Sequence, residues 1–169
     1  MVRPDLTNLS PQDAVVTLRS FPRRYSAEFS SIDGTDLTEE LASRIGSSGE
    51  SALQIVGEVT RTWVLLRESL RQILRHDEVF LHPAITNPAL RQWDTQVTES
   101  LFDSLNRFIE EAEALAALAE TVSPISAWAR SGTIAGDGAI SALDLIKECV
   151  SVGADGLSRV RTTMSQVKG

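Results

Sequence analysis

The chain has 169 residues, enough for one domain over 1–169, and a chain of that size buries about 70% of its unfolded surface without needing a disulfide or metal staple. Its net charge of −7 and pI near 4.8 exclude a general attraction for nucleic acid or anionic lipid, and its single cysteine, Cys149, excludes an internal disulfide and fits a reducing compartment. No apolar run approaches the roughly 20 residues of a membrane span, and "MVRPDLTNLS" lacks the apolar centre of a signal peptide, so the expectation is a cytoplasmic protein with neither nucleic acid nor membrane as partner.

The first helix is predicted to open at "SPQD", with Ser10 as N-cap, Pro11 in the first helical position and Asp13 completing a capping-box pattern. Ala14, Val15, Leu18, Phe21, Tyr25, Phe29 and Ile32 follow at steps of three and four, and Pro22 predicts a kink or break. "DGTDLTEELASRIGSSGE" reads as a polar connection with at most one helical turn. The second helix runs from about Ser51 to Arg75, with Ala52, Ile55, Val56, Val59, Trp63, Leu66, Leu70 and Ile73 as its buried stripe. A long loop, 76–88, comes next. The third helix begins near Pro88 or Trp93 and reaches about Thr121, its stripe formed by Val97, Leu101, Leu105, Phe108, Ile109, Ala112, Leu115 and Leu118. A second long loop, 122–140, is rich in Gly and Ser. The fourth helix starts at "SALD", another capping box, and continues to about Val167 with Leu143, Ile146, Val150, Leu157, Val160 and Met164 inward.

Four long amphipathic helices, with no hairpin and no repeat, define an all-α chain folded as a four-helix bundle. The two loops are longer than an up-and-down bundle needs, and they are placed to cap one end of it.

Little in the sequence has the pattern of a catalytic motif. His76 falls at the negative end of the second helix, which accounts for it. His82 lies six residues on, before Pro83, with no cysteine nearby to complete a zinc site. "GTIAGDGAI" is glycine-rich but lacks the lysine of a phosphate loop, so it reads as a flexible connector. Cys149 has no histidine placed as a base and reads as a small buried hydrophobe, and the three tryptophans read as core or loop anchors. The carboxylates remain. Glu58 sits mid-helix, and Asp155 and Ser151 lie one turn apart on one face of the fourth helix. Helical spacing also allows a plain solvated edge through Asp144, Glu148, Ser151, Asp155 and Thr162, and another through Gln54, Glu58 and Arg61. The fourth helix poses a further question in "KECVSVGADGLSRV", where Gly153 and Gly156 each cost up to roughly 1 kcal/mol relative to alanine.

"SALQIVGEVTRTWVLLRESLRQIL" followed by "AWARSGTIAGDGAISALDLIKECVSVGADGLSRV" resembles the DinB-like family, in particular its mycothiol-transferase-like branch, and the likeness extends over nearly the whole chain. The resemblance implies a four-helix bundle, which the periodicity also gives, and often a homodimer. Active members of that family hold a divalent metal on three histidines, and many transfer thiols such as mycothiol or bacillithiol. The matching positions here are Glu58, in Gly57-Glu58-Val59, and Ser151, Asp155 and Gly156 on the fourth helix; Glu50 stands where a tryptophan often precedes Ser-Ala. The three metal histidines are absent, so no metal or other cofactor is expected. Gly153 and Gly156 then read as small residues that leave room for a ligand or for close helix approach.

Two functional readings follow. The first is a metal-free relative that kept the bundle and serves as a small-molecule-binding or interaction protein. The second is an enzyme (a thiol transferase, isomerase or hydrolase) that uses Glu58 and Asp155, with Ser151 beside them, with or without a hard cation such as Mg²⁺ or Mn²⁺. A mostly structural role is a third. If Glu58 and Asp155 converge in a cavity, the enzyme reading gains; if both point into solvent, it fails.

Overall fold

The computed structural model describes residues 5–91, 93 and 99–169. Helix α1 spans Pro11–Ser30, α2 Thr35–Ser43, α3 Ala52–Arg75, α4 Leu101–Glu120 and α5 Ala142–Lys168. Strands β1 (Val79–Leu81), β2 (Ser131–Ile134) and β3 (Gly138–Ser141) form one small sheet. The chain is mainly α-helical, and the sheet is the departure from the all-α expectation.

Capping fixes the helix starts. The Ser10 hydroxyl accepts from the Asp13 N–H at 3.1 Å, and full capping boxes close on Ser51 with Gln54 and on Ser141 with Asp144. Of the kink or break expected at Pro22, the break does not occur: α1 runs through it as one helix. A helix-interior proline costs about 3 kcal/mol, but Leu18, Phe21, Tyr25 and Phe29 around it are all buried, each stabilising by about 1.5–3 kcal/mol, and that burial outweighs one missing hydrogen bond. The segment expected to be a polar connection holds α2, which docks by burying Leu41 and Ala42. The expected third helix, α4, starts at Leu101 rather than near Pro88 or Trp93, because Ser100 supplies its cap. Of its expected stripe, Val97 lies outside the described residues, and Ile109 is exposed; Ser104 and Glu111 take buried places instead.

Each long helix has two neighbours: α1 packs against α4 and α5, and α3 packs against the same two. The pairs α1/α3 and α4/α5 therefore face each other across the bundle's diagonals. This explains the long connections, since the chain must cross the bundle between α1 and α3 and again between α4 and α5. A ring cluster fills the middle: Phe21, Tyr25, Trp63 and Phe108, with centroids 4.3–6.1 Å apart.

The two long loops are one structure. β1 pairs parallel with β2, Val79 opposite Gly132 and Leu81 opposite Ile134, and β2 pairs antiparallel with β3. The supposed flexible connector "GTIAGDGAI" is thus a hairpin, turning through Gly136 at a positive φ of 89°. The sheet sits where α3 ends and α5 begins. It buries Val79, Leu81, Ile134 and Ile140 and leaves Phe80 exposed. The histidines take structural places: His76 caps α3, and His82 Nδ1 accepts from the Ala84 N–H at 3.0 Å.

Candidate functional site

The glycines of α5 are explained by what rests against them. The Tyr25 hydroxyl donates to the Gly153 carbonyl at 2.6 Å, and the Trp63 indole N–H donates to the Cys149 carbonyl at 2.9 Å. These carbonyls are four residues apart, on one face of α5. For the rings to reach them, α5 must present no side chain there. A Cβ on Gly153 would lie 2.5 Å from Cε2 of Phe21, and one on Gly156 would run into both the Tyr25 hydroxyl and a Val59 methyl. Of the two uses expected for these small residues, the structure shows close approach, with the space filled by the protein's own aromatic rings.

Cys149 is fully buried in this contact. Burial, with the negative charge of Glu148 beside it, pushes its thiol above the ordinary range. Native protein at neutral pH is therefore expected to leave Cys149 unmodified by iodoacetamide, while urea-unfolded protein gains one adduct, read by intact mass. Rapid modification of the native chain would contradict the packing described.

Two residues past Gly153 on α5 stands Asp155, and on α3 stands Glu58. They are joined by a third residue, Arg159. Its Nη2 donates to Glu58 Oε2 at 2.9 Å and its Nη1 to Glu58 Oε1 at 3.3 Å, a two-point fork on one carboxylate. Nη2 also donates to Glu50 Oε1 at 2.5 Å, and Nη1 lies 3.6 Å from Asp155 Oδ2, an ion pair one helical turn away. The cluster is half-buried: the Arg159 side chain is 23% exposed and that of Asp155 43%. Burial works against the charged guanidinium, but the hydrogen bonds it donates to Glu58 and then Glu50 outweigh that and hold Arg159 protonated more firmly than usual. Ser151 is buried and is not among the partners of Arg159.

Of the three candidate site residues, then, Glu58 and Asp155 share the Arg159 guanidinium and Ser151 stands apart. The two solvated edges hold in part: Asp144, Thr162 and Arg61 are exposed, while Ser151 is buried. Glu148 pairs at 3.1 Å with the Arg91 side chain, which is buried and so covers the middle of the α5 edge. Glu50 and Arg159 were missed from sequence. For Arg159 a signal existed, since Asp155 and Arg159 have the i, i+4 spacing of a helical ion pair.

A divalent ion needs several free donors converging on one point. Here Glu58 and Asp155 converge on a guanidinium, and the remaining hydroxyl is a weak ligand. As arranged, these residues do not fit such an ion. Among the described residues, no group of three or more His, Cys, Asp or Glu side chains is placed to hold a metal. No described helix is long and apolar enough to cross a membrane.

These features define a four-helix bundle with crossed diagonals and a small sheet at one end. A solved structure of this fold is YfiT from Bacillus subtilis, described as a probable metal-dependent hydrolase with an unusual four-helix bundle topology. The likeness covers 99% of this chain and 93% of that one, with a TM-score of 0.73 and 12% identity. No family model and no curated protein matches the sequence.

Proposed function

We propose that this chain is a metal-free relative of the DinB-like bundles and acts by binding, as a small-molecule-binding or interaction protein. The observation that supports this most is the Arg159 fork on Glu58, with Glu50 and Asp155 around it. Side chains at positions where the resemblance implies metal ligands are turned onto a resident cation, which supplies there the positive charge that an ion otherwise would. The same reading carries the expected homodimer and a cytoplasmic location.

The enzyme reading keeps one observation in its favour: Glu58 and Asp155 do come together, on one guanidinium. YfiT, similar in fold, is described as a probable metal-dependent hydrolase. In that reading the pair would carry acid–base work, whether in thiol transfer, isomerisation or hydrolysis, with or without a hard cation.

Thermal melts separate the metal-free reading from an enzyme that uses a cation. An ion that binds the folded state at 100 times its Kd adds about 2.7 kcal/mol of stability. For a metal-free protein, the midpoint is expected to be the same with EDTA and with millimolar Zn²⁺, Ni²⁺, Mn²⁺ or Mg²⁺. A rise of several degrees with one ion, abolished in Glu58→Gln, would sink the metal-free reading.

A further inference from the structure

We propose that the groove between the ends of α3 and α4 and the segment 123–130 binds a small amphipathic anion, a carboxylate or phosphate ester on a short apolar body. The groove encloses about 320 Å³, at the lower end of the roughly 300–1,000 Å³ of small-molecule sites. Three arginines line it, Arg71, Arg75 and Arg130, and no acidic side chain does. In a chain with 23 acidic and 16 basic residues, a wall with three cations and no carboxylate is a local reversal of charge. Leu74, Leu118 and Val122 give the groove an apolar floor.

The three guanidiniums are not equivalent. Arg71 is forked onto Glu68, with Nε and Nη2 at 2.9 and 2.7 Å from its carboxylate oxygens. That pair is exposed on both sides, so it is weak and open to competition. Arg130 turns Nε to the Ile73 carbonyl and Nη2 to the His76 carbonyl and Asp77, which satisfies the last carbonyls of α3. Arg75 has no ion pair and no side-chain hydrogen bond among the described residues. Among the described residues nothing takes up its donors, and it is the residue on which an anion would anchor. The negative ends of α3 and α4, about half a charge each, oppose an anion. Arg130 screens the first of them, and the unpaired Arg75 supplies the excess positive charge.

This site is separate from the Arg159 cluster. Arg75 and Glu58 are 17 positions apart on α3, about 25 Å along its axis, so the two proposals stand or fall separately.

The test is a ¹⁵N-resolved NMR titration of the full chain with hexanoate, hexyl phosphate, inorganic phosphate and hexylammonium. Saturable shifts are expected for hexanoate or hexyl phosphate at Arg71, Arg75, Thr121, Ala127 and Arg130; which of the two binds tighter identifies the headgroup. Arg75→Glu, an exposed change whose fold the same spectra check, is expected to weaken binding at least about tenfold, as loss of one charge-assisted contact does. Arg75→Gln serves if that variant does not fold. The proposal is overturned if neither amphiphile gives saturable shifts at these residues, if Arg75 variants bind as tightly as wild type, or if hexylammonium binds equally. Inorganic phosphate binding as tightly as hexyl phosphate would also overturn it, because the apolar floor would then play no part.

Discussion

Gly156→Ala is expected to destabilise the protein by about 2–3 kcal/mol, and Gly153→Ala by a similar amount, although both place a better helix former in a helix interior. Propensity alone favours the alanines by up to about 1 kcal/mol each, so the sign of the result is informative. At position 156 the new methyl meets the Tyr25 hydroxyl and a Val59 methyl. Tyr25 cannot retreat without breaking its buried bond to the Gly153 carbonyl, a loss of about 1–3 kcal/mol. At position 153 the methyl meets the edge of Phe21, a ring already packed edge-on to Tyr25 and tilted against Trp63. In a chain of this size each kcal/mol lowers the melting midpoint by about 2–4 °C, so each variant should melt roughly 4–12 °C below wild type in a calorimetric scan. Midpoints raised by alanine would mean that the rings do not pack against α5 as described. A control exists in Gly57→Ala, where the added methyl meets nothing within 4 Å and the midpoint should hold or rise.

Arg159→Met is expected to cost about 1–2 kcal/mol and, more tellingly, to make stability depend on salt. The variant keeps the apolar stem but leaves Glu50, Glu58 and Asp155 without their shared cation. Removing one member of a buried pair costs about 3–5 kcal/mol, and a half-exposed pair well under that. Repulsion among the remaining carboxylates is screened by salt, with a Debye length of about 10 Å at 0.1 M and 3 Å at 1 M. Raising NaCl from 0.05 to 1 M should therefore narrow the gap between variant and wild type. Adding Glu58→Gln should recover part of the loss, as expected for coupled neighbours in a double-mutant cycle. A loss of stability that salt and Glu58→Gln leave untouched would reduce Arg159 to a packing residue.

Much of the bundle was legible because local chemistry marks its boundaries. Ser51 and Ser141 start their helices within a residue of expectation, since a capping serine and its partner three residues on are adjacent in sequence. Where the deciding partner is distant, reading failed. Pro22 allowed a break as well as a kink because its cost is local, while the burial that keeps the helix continuous comes from the whole core. The hairpin 131–141 was hidden because its strands are four residues each, contain glycine, and gain a third partner from β1 some fifty residues earlier. Ile109 was placed inward by periodicity, but its neighbour on the facing side is solvent.

The site was legible in part. Glu58 and Asp155 stood out as mid-helix carboxylates, and the resemblance placed them at implied ligand positions. What they face was not visible, because Arg159 reads in one dimension as an ordinary helical ion-pair partner of Asp155. Its fork onto Glu58 spans 101 residues of sequence. Gly153 and Gly156 were visible as an anomaly, yet their cause, Phe21 and Tyr25, lies in the first helix.

The central claim is that the positive charge among Glu50, Glu58 and Asp155 belongs to Arg159 and not to a metal ion. Elemental mass spectrometry tests it most directly, on untagged protein before and after incubation with zinc, nickel, manganese and magnesium. The expected result is metal far below one ion per chain under every condition. Near-stoichiometric metal that disappears in Glu58→Ala would contradict the account and restore a metal-dependent enzyme on this fold.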